Sequence, residues 1–194
     1  ITSGFRMCAG GIRLNYGVNP DIAVFAKSIA NGYAMASIIG TEKVMSSAQS
    51  TFISSTNWTE RIGPAAAIAT IKKYIHENVA EHIINIGDAV KKVWLTNSEK
   101  HKININVSGL PTLAAFSFLA ENNQTMMTVF TIEMLKRGFL GFRQFKPSYA
   151  HSTDDVSKYQ NAVDEVFFNI ATKPIDELLV TPVAHTGLHR LTKE

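Results

Sequence analysis

One cysteine, six prolines and twelve glycines in 194 residues leave little material for several kinds of protein. Cys8 alone cannot close an internal disulfide, and with no partner thiol and no His–Cys spacing it offers no zinc site, so a reducing cytosol fits best. The shortage of proline and glycine, beside 45% hydrophobic, 18% charged and 9% aromatic residues, excludes collagen-like, low-complexity and disordered classes and describes a globular chain. Charge of one sign is scarce too. A net charge of +3 from 19 basic and 16 acidic residues is too slight and too evenly spread for a nucleic-acid surface, which needs clustered Lys and Arg. No run approaches the ~20 apolar residues that span a bilayer, and the start lacks the charged-then-apolar layout of a signal peptide. A soluble, cytoplasmic protein is expected. The chain opens on Ile1 without an initiator Met, which reads as a fragment.

Several chemistries are missing as well. His76 and His82 stand alone, His101 and His151 are scattered, and Gly187 interrupts His185 and His189, so no metal site is expected. No Gly-x-Ser-x-Gly nucleophile elbow and no Gly-x-x-x-x-Gly-Lys phosphate loop occurs.

What is present is a chain of alternating strands and helices followed by a hairpin and two helices. The short apolar run Ile22–Ala26, between the Asn19-Pro20-Asp21 turn and Lys27, predicts a buried strand, and Ala36–Gly40 predicts another. Thr41 is placed to cap a short helix through Met45, and Thr59 to cap an alanine-rich helix carrying Ile62, Ala65, Ala66 and Ala69. Val79, Ile83, Ile86, Val90 and Val93 form one helical stripe, and the polar stretch Asn97–Lys102 predicts a domain boundary near residue 97. Beyond it, Ile103–Val107 and Thr112–Leu119 read as a hairpin. Met126, Val129, Phe130 and Met134 mark a helix stopped by Gly138. A last helix carries Val156, Tyr159, Val163, Val166, Phe167 and Ile170, with Asp154 and Asp155 at its positive end.

Two places can hold chemistry. Lys27 follows an apolar strand at the end where α/β folds place ligands, and precedes the Asn31-Gly32 turn. A lysine half-desolvated there is a neutral amine able to form a Schiff base with an aldehyde. The hydroxyl cluster Ser54-Ser55-Thr56, ahead of a helix, can hold a phosphate through hydroxyl donors and free backbone N–H groups.

At these residues the sequence resembles the class III pyridoxal-phosphate-dependent aminotransferases, in the branch that contains glutamate-1-semialdehyde aminomutase. Ile1-Thr2-Ser3-Gly4-Phe5-Arg6 is similar to the end of the family's Asp-Glu-Val-x-x-Gly-Phe-Arg motif, and Pro20-Asp21 through Lys27-Ser28-Ile29-Ala30-Asn31-Gly32 resembles its lysine element. Thr56–Ile71 resembles the Thr-containing loop and its helix, and Ala150-His151-Ser152-Thr153-Asp154-Asp155 the Ala-His-Thr-x-x-Asp stretch. The glycine triplet after the lysine is Ala30-Asn31-Gly32 here, and Asn31 tolerates the left-handed geometry that turn needs.

The resemblance implies an α/β chain forming the C-terminal part of a fold type I pyridoxal-phosphate-dependent transferase. Residues 1–97 would end the cofactor-binding large domain and residues 98–194 would form a small α+β domain. It implies an enzyme that moves an amino group between an amine and an aldehyde or keto substrate, with Lys27 as catalytic Schiff-base lysine and proton carrier. Ser55 and Thr56 would bind the cofactor phosphate across a homodimer interface. Arg143, in a segment from which the small domain faces the pocket, would bind an anionic substrate group, partly desolvated by Phe142 and Phe145. The cofactor-ring aspartate is expected two residues before Ile1. An intramolecular aminomutase and a non-catalytic homologue are the alternatives.

Overall fold

The computed structural model describes residues 1–54, 56 and 59–187. Contacts divide the chain into two compact units, Ile1–Ile84 and Asn85–Glu194.

The first unit holds a 3-10 turn at Ile12–Tyr16, β1 (Ile22–Phe25), a 3-10 turn at Lys27–Ala30, β2 (Ser37–Gly40), α1 (Glu42–Met45), a 3-10 turn at Ser46–Ser50, α2 (Ile62–His76) and the start of α3 (Val79–His101). β1 and β2 pair antiparallel, with Ile22 opposite Gly40 and Phe25 opposite Ser37. Both strands were expected to be buried. In the described chain only Phe25 is, because a two-stranded ribbon carries no second layer, and Ile22, Val24, Ile38 and Ile39 remain exposed. The core lies beneath the ribbon's end, where Phe5, Phe25, Ile29, Ala30, Ala67 and Tyr74 pack together. The Phe25 ring fits only because residue 11 is glycine: a Cβ there would stand 2.7 Å from it, and the backbone already has a φ of 102°.

α2 begins later than its sequence suggests. Glu60, rather than Thr59, satisfies its first N–H groups, accepting from Ile62 N and from Gly63 N at 2.9 Å. A carboxylate does this well because it adds charge to the hydrogen bond at the positive helix end. Thr41 does stand at the N-cap of α1, though without a side-chain cap bond.

The second unit contains most of α3, β3 (Ile105–Ser108), β4 (Ala114–Phe118), α4 (Asn123–Lys136), β5 (Gln144–Phe145), α5 (Thr153–Thr172) and α6 (Ile175–Leu178). The predicted hairpin forms, with Ile105 opposite Phe118, and β5 adds a third antiparallel strand in the order β3-β4-β5. Trp94, Phe116, Phe130, Met134, Val163, Val166 and Phe167 are fully buried between sheet and helices. Phe116 sits at the centre, 4.9 Å from the Trp94 ring and 5.0 Å from Phe130.

Contacts separate the two units inside α3, and the polar stretch from residue 97 continues that helix to His101. Within it the polar side chains are satisfied by their own helix: Asn97 Nδ2 donates to Val93 O at 2.9 Å and Ser98 Oγ to Leu95 O at 2.7 Å. Both are buried, at 4% and 7% exposure. At the start of α5, Ser152 and Asp155 form a reciprocal capping box. Where α4 meets α5, the nearly buried Glu133 accepts from Lys136 at 2.6 Å and Arg137 at 3.0 Å. Burial alone would raise its carboxyl pKa, but these two hydrogen bonds outweigh it and hold the group below its ordinary value.

Candidate active site

Ala26 is extended, and at Lys27 the chain turns sharply into the left-handed region, with a φ of 58°. A single 3-10 turn follows and ends at Asn31, also left-handed with a φ of 46°. A left-handed lysine costs about 1–2 kcal/mol in backbone sterics, so the fold must hold it there by other contacts. Ile29 and Ala30 supply them by inserting into the core below. Apolar residues thus point down and Lys27 points out. Its side chain is exposed rather than half-desolvated, because none of the described residues covers it.

Lys27 Nζ donates to Thr2 Oγ1 at 3.0 Å, and among the described residues it forms no ion pair with a carboxylate. The next residue repeats the link, Ser28 Oγ donating to Phe5 O at 3.2 Å. Thr2 was read from the sequence only as part of a motif. Its contact with Lys27 spans 25 residues, so no local spacing could have revealed it.

Of the other proposed residues, Thr56 is exposed in a turn ahead of α2, the helix that shares a core with the Lys27 turn. Ser55 lies outside the described residues. Below the turn, burial pushes the Tyr74 hydroxyl up to about 12, so it is neutral and donates to Arg6 O at 3.0 Å.

Arg143 belongs to the second unit and immediately precedes β5. Its carbonyl accepts from Phe116 N at 2.9 Å, which fixes its backbone to the sheet. Its guanidinium lies 5.2 Å from the Phe142 ring centre, as the flanking aromatic suggested. Phe145 does not share in this: its ring faces His151 at 5.2 Å and stacks with Tyr159 at 6.5 Å. A cavity of about 420 Å³ is lined by Phe139, Phe142, Phe145, Lys146, His151 and Tyr159 among others, with Arg143 outside its wall. Lys146, noted in the sequence only as a neighbour of Arg143, is therefore the lysine on that cavity.

Among the described residues no three His, Cys, Asp or Glu side chains gather as metal ligands, and no helix is long and apolar enough to cross a membrane.

Comparison with known proteins bears on the same region. Glutamate-1-semialdehyde 2,1-aminomutase from Nitrosopumilus maritimus (strain SCM1) is 35% identical over 181 residues, covering 84% of this chain and 43% of that protein. Aminopentol aminotransferase from Sphingopyxis macrogoltabida is 24% identical over 169 residues, covering 86% of this chain and 40% of that protein. Among solved structures, the PLP internal aldimine form of the FumI protein of Sphingopyxis sp. MTA144 superposes with a TM-score of 0.79 at 24% identity, over 90% of this chain and 44% of that one. The chain spans less than half the length of these relatives. The expected fold, part of a fold type I transferase, is borne out by that superposition. The family model for aminotransferase class-III matches residues 7–153, which include Lys27 and Arg143 and end at the start of α5, and the chain belongs to the class III aminotransferases.

Proposed function

We propose that this chain carries the lysine-bearing part of a pyridoxal-phosphate-dependent aminotransferase, with Lys27 as its catalytic lysine. One observation supports this most: two lysines within the family match are left-handed, Lys27 and Lys102, and Lys102 closes the end of α3, whereas Lys27 follows a strand with its amine free of carboxylates and held by a hydroxyl. Strained backbone held in place by its surroundings is characteristic of functional sites. A primary amine in that setting fits an aldehyde-bearing cofactor. Once bound, that cofactor supplies an electron sink for the substrate carbon that exchanges its amino group.

The chain's own residues divide the remaining work. Lys27 Nζ binds the cofactor and, when released by the incoming amine, is the base within reach that holds and returns the substrate proton. Thr56 and Ser55 bind the phosphate, and Arg143 the substrate's anionic group. Residues 1–97 act as the end of the large cofactor-binding domain and 98–194 as the small domain of a cytoplasmic homodimer with shared sites. Borohydride reduction of the holoenzyme followed by peptide mapping tests the reading: the adduct is expected on Lys27, and an adduct on another lysine sinks the mechanism.

The 35% identity to an aminomutase favours a second reading in which the amino group moves within one substrate. The same lysine serves both. Turnover of a single amino aldehyde without a separate acceptor would mark the aminomutase, and dependence on an added keto acid or aldehyde the aminotransferase.

A hydroxyl hydrogen bond to a phosphate is charge-assisted and worth roughly 1.5–3 kcal/mol. Thr56→Val is therefore expected to weaken cofactor affinity by about one to two orders of magnitude, measured by equilibrium titration of the cofactor-free protein. Unchanged affinity would remove Thr56 from the site. Arg143→Lys keeps the charge but loses the fork that grips a carboxylate at two points. The apparent KM for an acidic substrate should rise about tenfold while Tm stays as in the parent. If only Tm falls, Arg143 serves the sheet through its backbone and Phe142 contacts.

A further inference from the structure

We propose that Thr2 is the positioning residue of Lys27, holding its amine in one direction in both protonation states. The inference rests on the reading of Lys27 given above and extends it to a residue outside the lysine element. Thr2 is mounted on an anchored segment. Gly4 O accepts from Ile12 N at 3.0 Å, Phe5 O from Ser28 Oγ at 3.2 Å and Arg6 O from Tyr74 OH at 3.0 Å. The Phe5 ring packs 4.9 Å from Tyr74 within the core. Lys27 is anchored on its own side by the left-handed turn and by Ile29 and Ala30. Two fixed backbones are thus bridged twice, by Ser28 Oγ to Phe5 O and by Nζ to Thr2 Oγ1 at 3.0 Å, and the second contact is the one that reaches the amine.

The contact matters because a lysine amine rides on a flexible four-carbon stem. An exposed Nζ with no partner would sweep a wide volume and meet a bound aldehyde from the right side only part of the time. A hydroxyl suits the task better than a carboxylate. It accepts from an ammonium and donates to a neutral amine, so it keeps its hold when the proton leaves. A carboxylate would favour the charged form, which cannot attack. In the attack, neutral Nζ forms a bond to the aldehyde carbon and the carbonyl oxygen departs as water, taking both amine hydrogens.

The test compares two reagents on cofactor-free protein prepared from the holoenzyme. Pyridoxal phosphate seated in its site needs the amine in one orientation, whereas formaldehyde with a mild reductant reaches it from any side. In Thr2→Val, pyridoxal phosphate should bond to Lys27 about tenfold more slowly, read by stopped-flow absorbance, while reductive methylation of Lys27 is no slower than in the parent. Thr2→Ser should restore the pyridoxal phosphate rate to within about twofold, since serine keeps the hydroxyl. A parent-like pyridoxal phosphate rate in Thr2→Val, or equal slowing by both reagents, overturns the proposal while leaving Lys27 in place. An adduct mapped to another lysine in the parent overturns the reading of Lys27 and this proposal with it.

Discussion

Lys27→Ala is expected to leave a folded protein that neither fixes pyridoxal phosphate under borohydride nor transfers amino groups. The loss should be at least about a thousandfold in kcat/KM, since a positioned general base alone is worth 10²–10⁴ and the attachment point for the cofactor goes with it. The measurement pairs the visible absorbance of the reconstituted variant with its turnover of an amine donor and a keto acceptor. A variant that keeps both would place the chemistry on another residue. A second substitution separates chemistry from folding. Because Lys27 lies at a φ of 58°, its backbone favours glycine. Lys27→Gly should therefore be at least as stable as the parent while equally inactive. A residue that is strained in place and whose replacement relieves the strain at the cost of activity is behaving as a functional residue.

The largest expected effect on stability comes from a residue with no part in the chemistry. Gly87 lies within α3 and is buried against the backbone of the Pro111–Leu113 turn, and a Cβ there would stand 1.9 Å from Pro111 O and 2.5 Å from Pro111 C. These are main-chain atoms, so no rotamer change can clear the space. Alanine is favoured over glycine in a helix by about 1 kcal/mol, but displacing the turn should cost about 3 kcal/mol. The net loss for Gly87→Ala is about 2 kcal/mol, or a fall of about 4–8 °C in Tm for a chain of this size. Asp88→Ala, on the exposed side of the same turn of helix, is the control and should change stability by less than about 0.5 kcal/mol. If Gly87→Ala melts with the parent, the turn has room to move and the close approach of α3 is not a constraint.

The sequence by itself determined the periodic elements. The stripe from Ile83 to Val93, the helix bearing Met126 to Met134, the hairpin around Gly109 and the helix from Val156 to Ile170 all form, because hydrophobic period and turn residues act over a few positions. The family was legible too, through the Lys27 element and the motifs around it, since these are runs of adjacent residues. Tertiary structure decided what depends on partners distant in sequence. Whether Ile22–Phe25 is buried depends on what lies over it, which an apolar run does not record. Asn97 and Ser98 can be buried in α3 because each finds an acceptor in the preceding turn, where composition alone suggests a break. Glu60, not Thr59, satisfies the first N–H groups of α2 because its carboxylate reaches two of them. The nearness of Pro111 to Gly87 and of Thr2 to Lys27 arises only when separate segments pack. A sequence names the amine, but the direction in which it is held is set by a hydroxyl 25 residues away, because side-chain position is fixed by contacts that only the folded chain brings together.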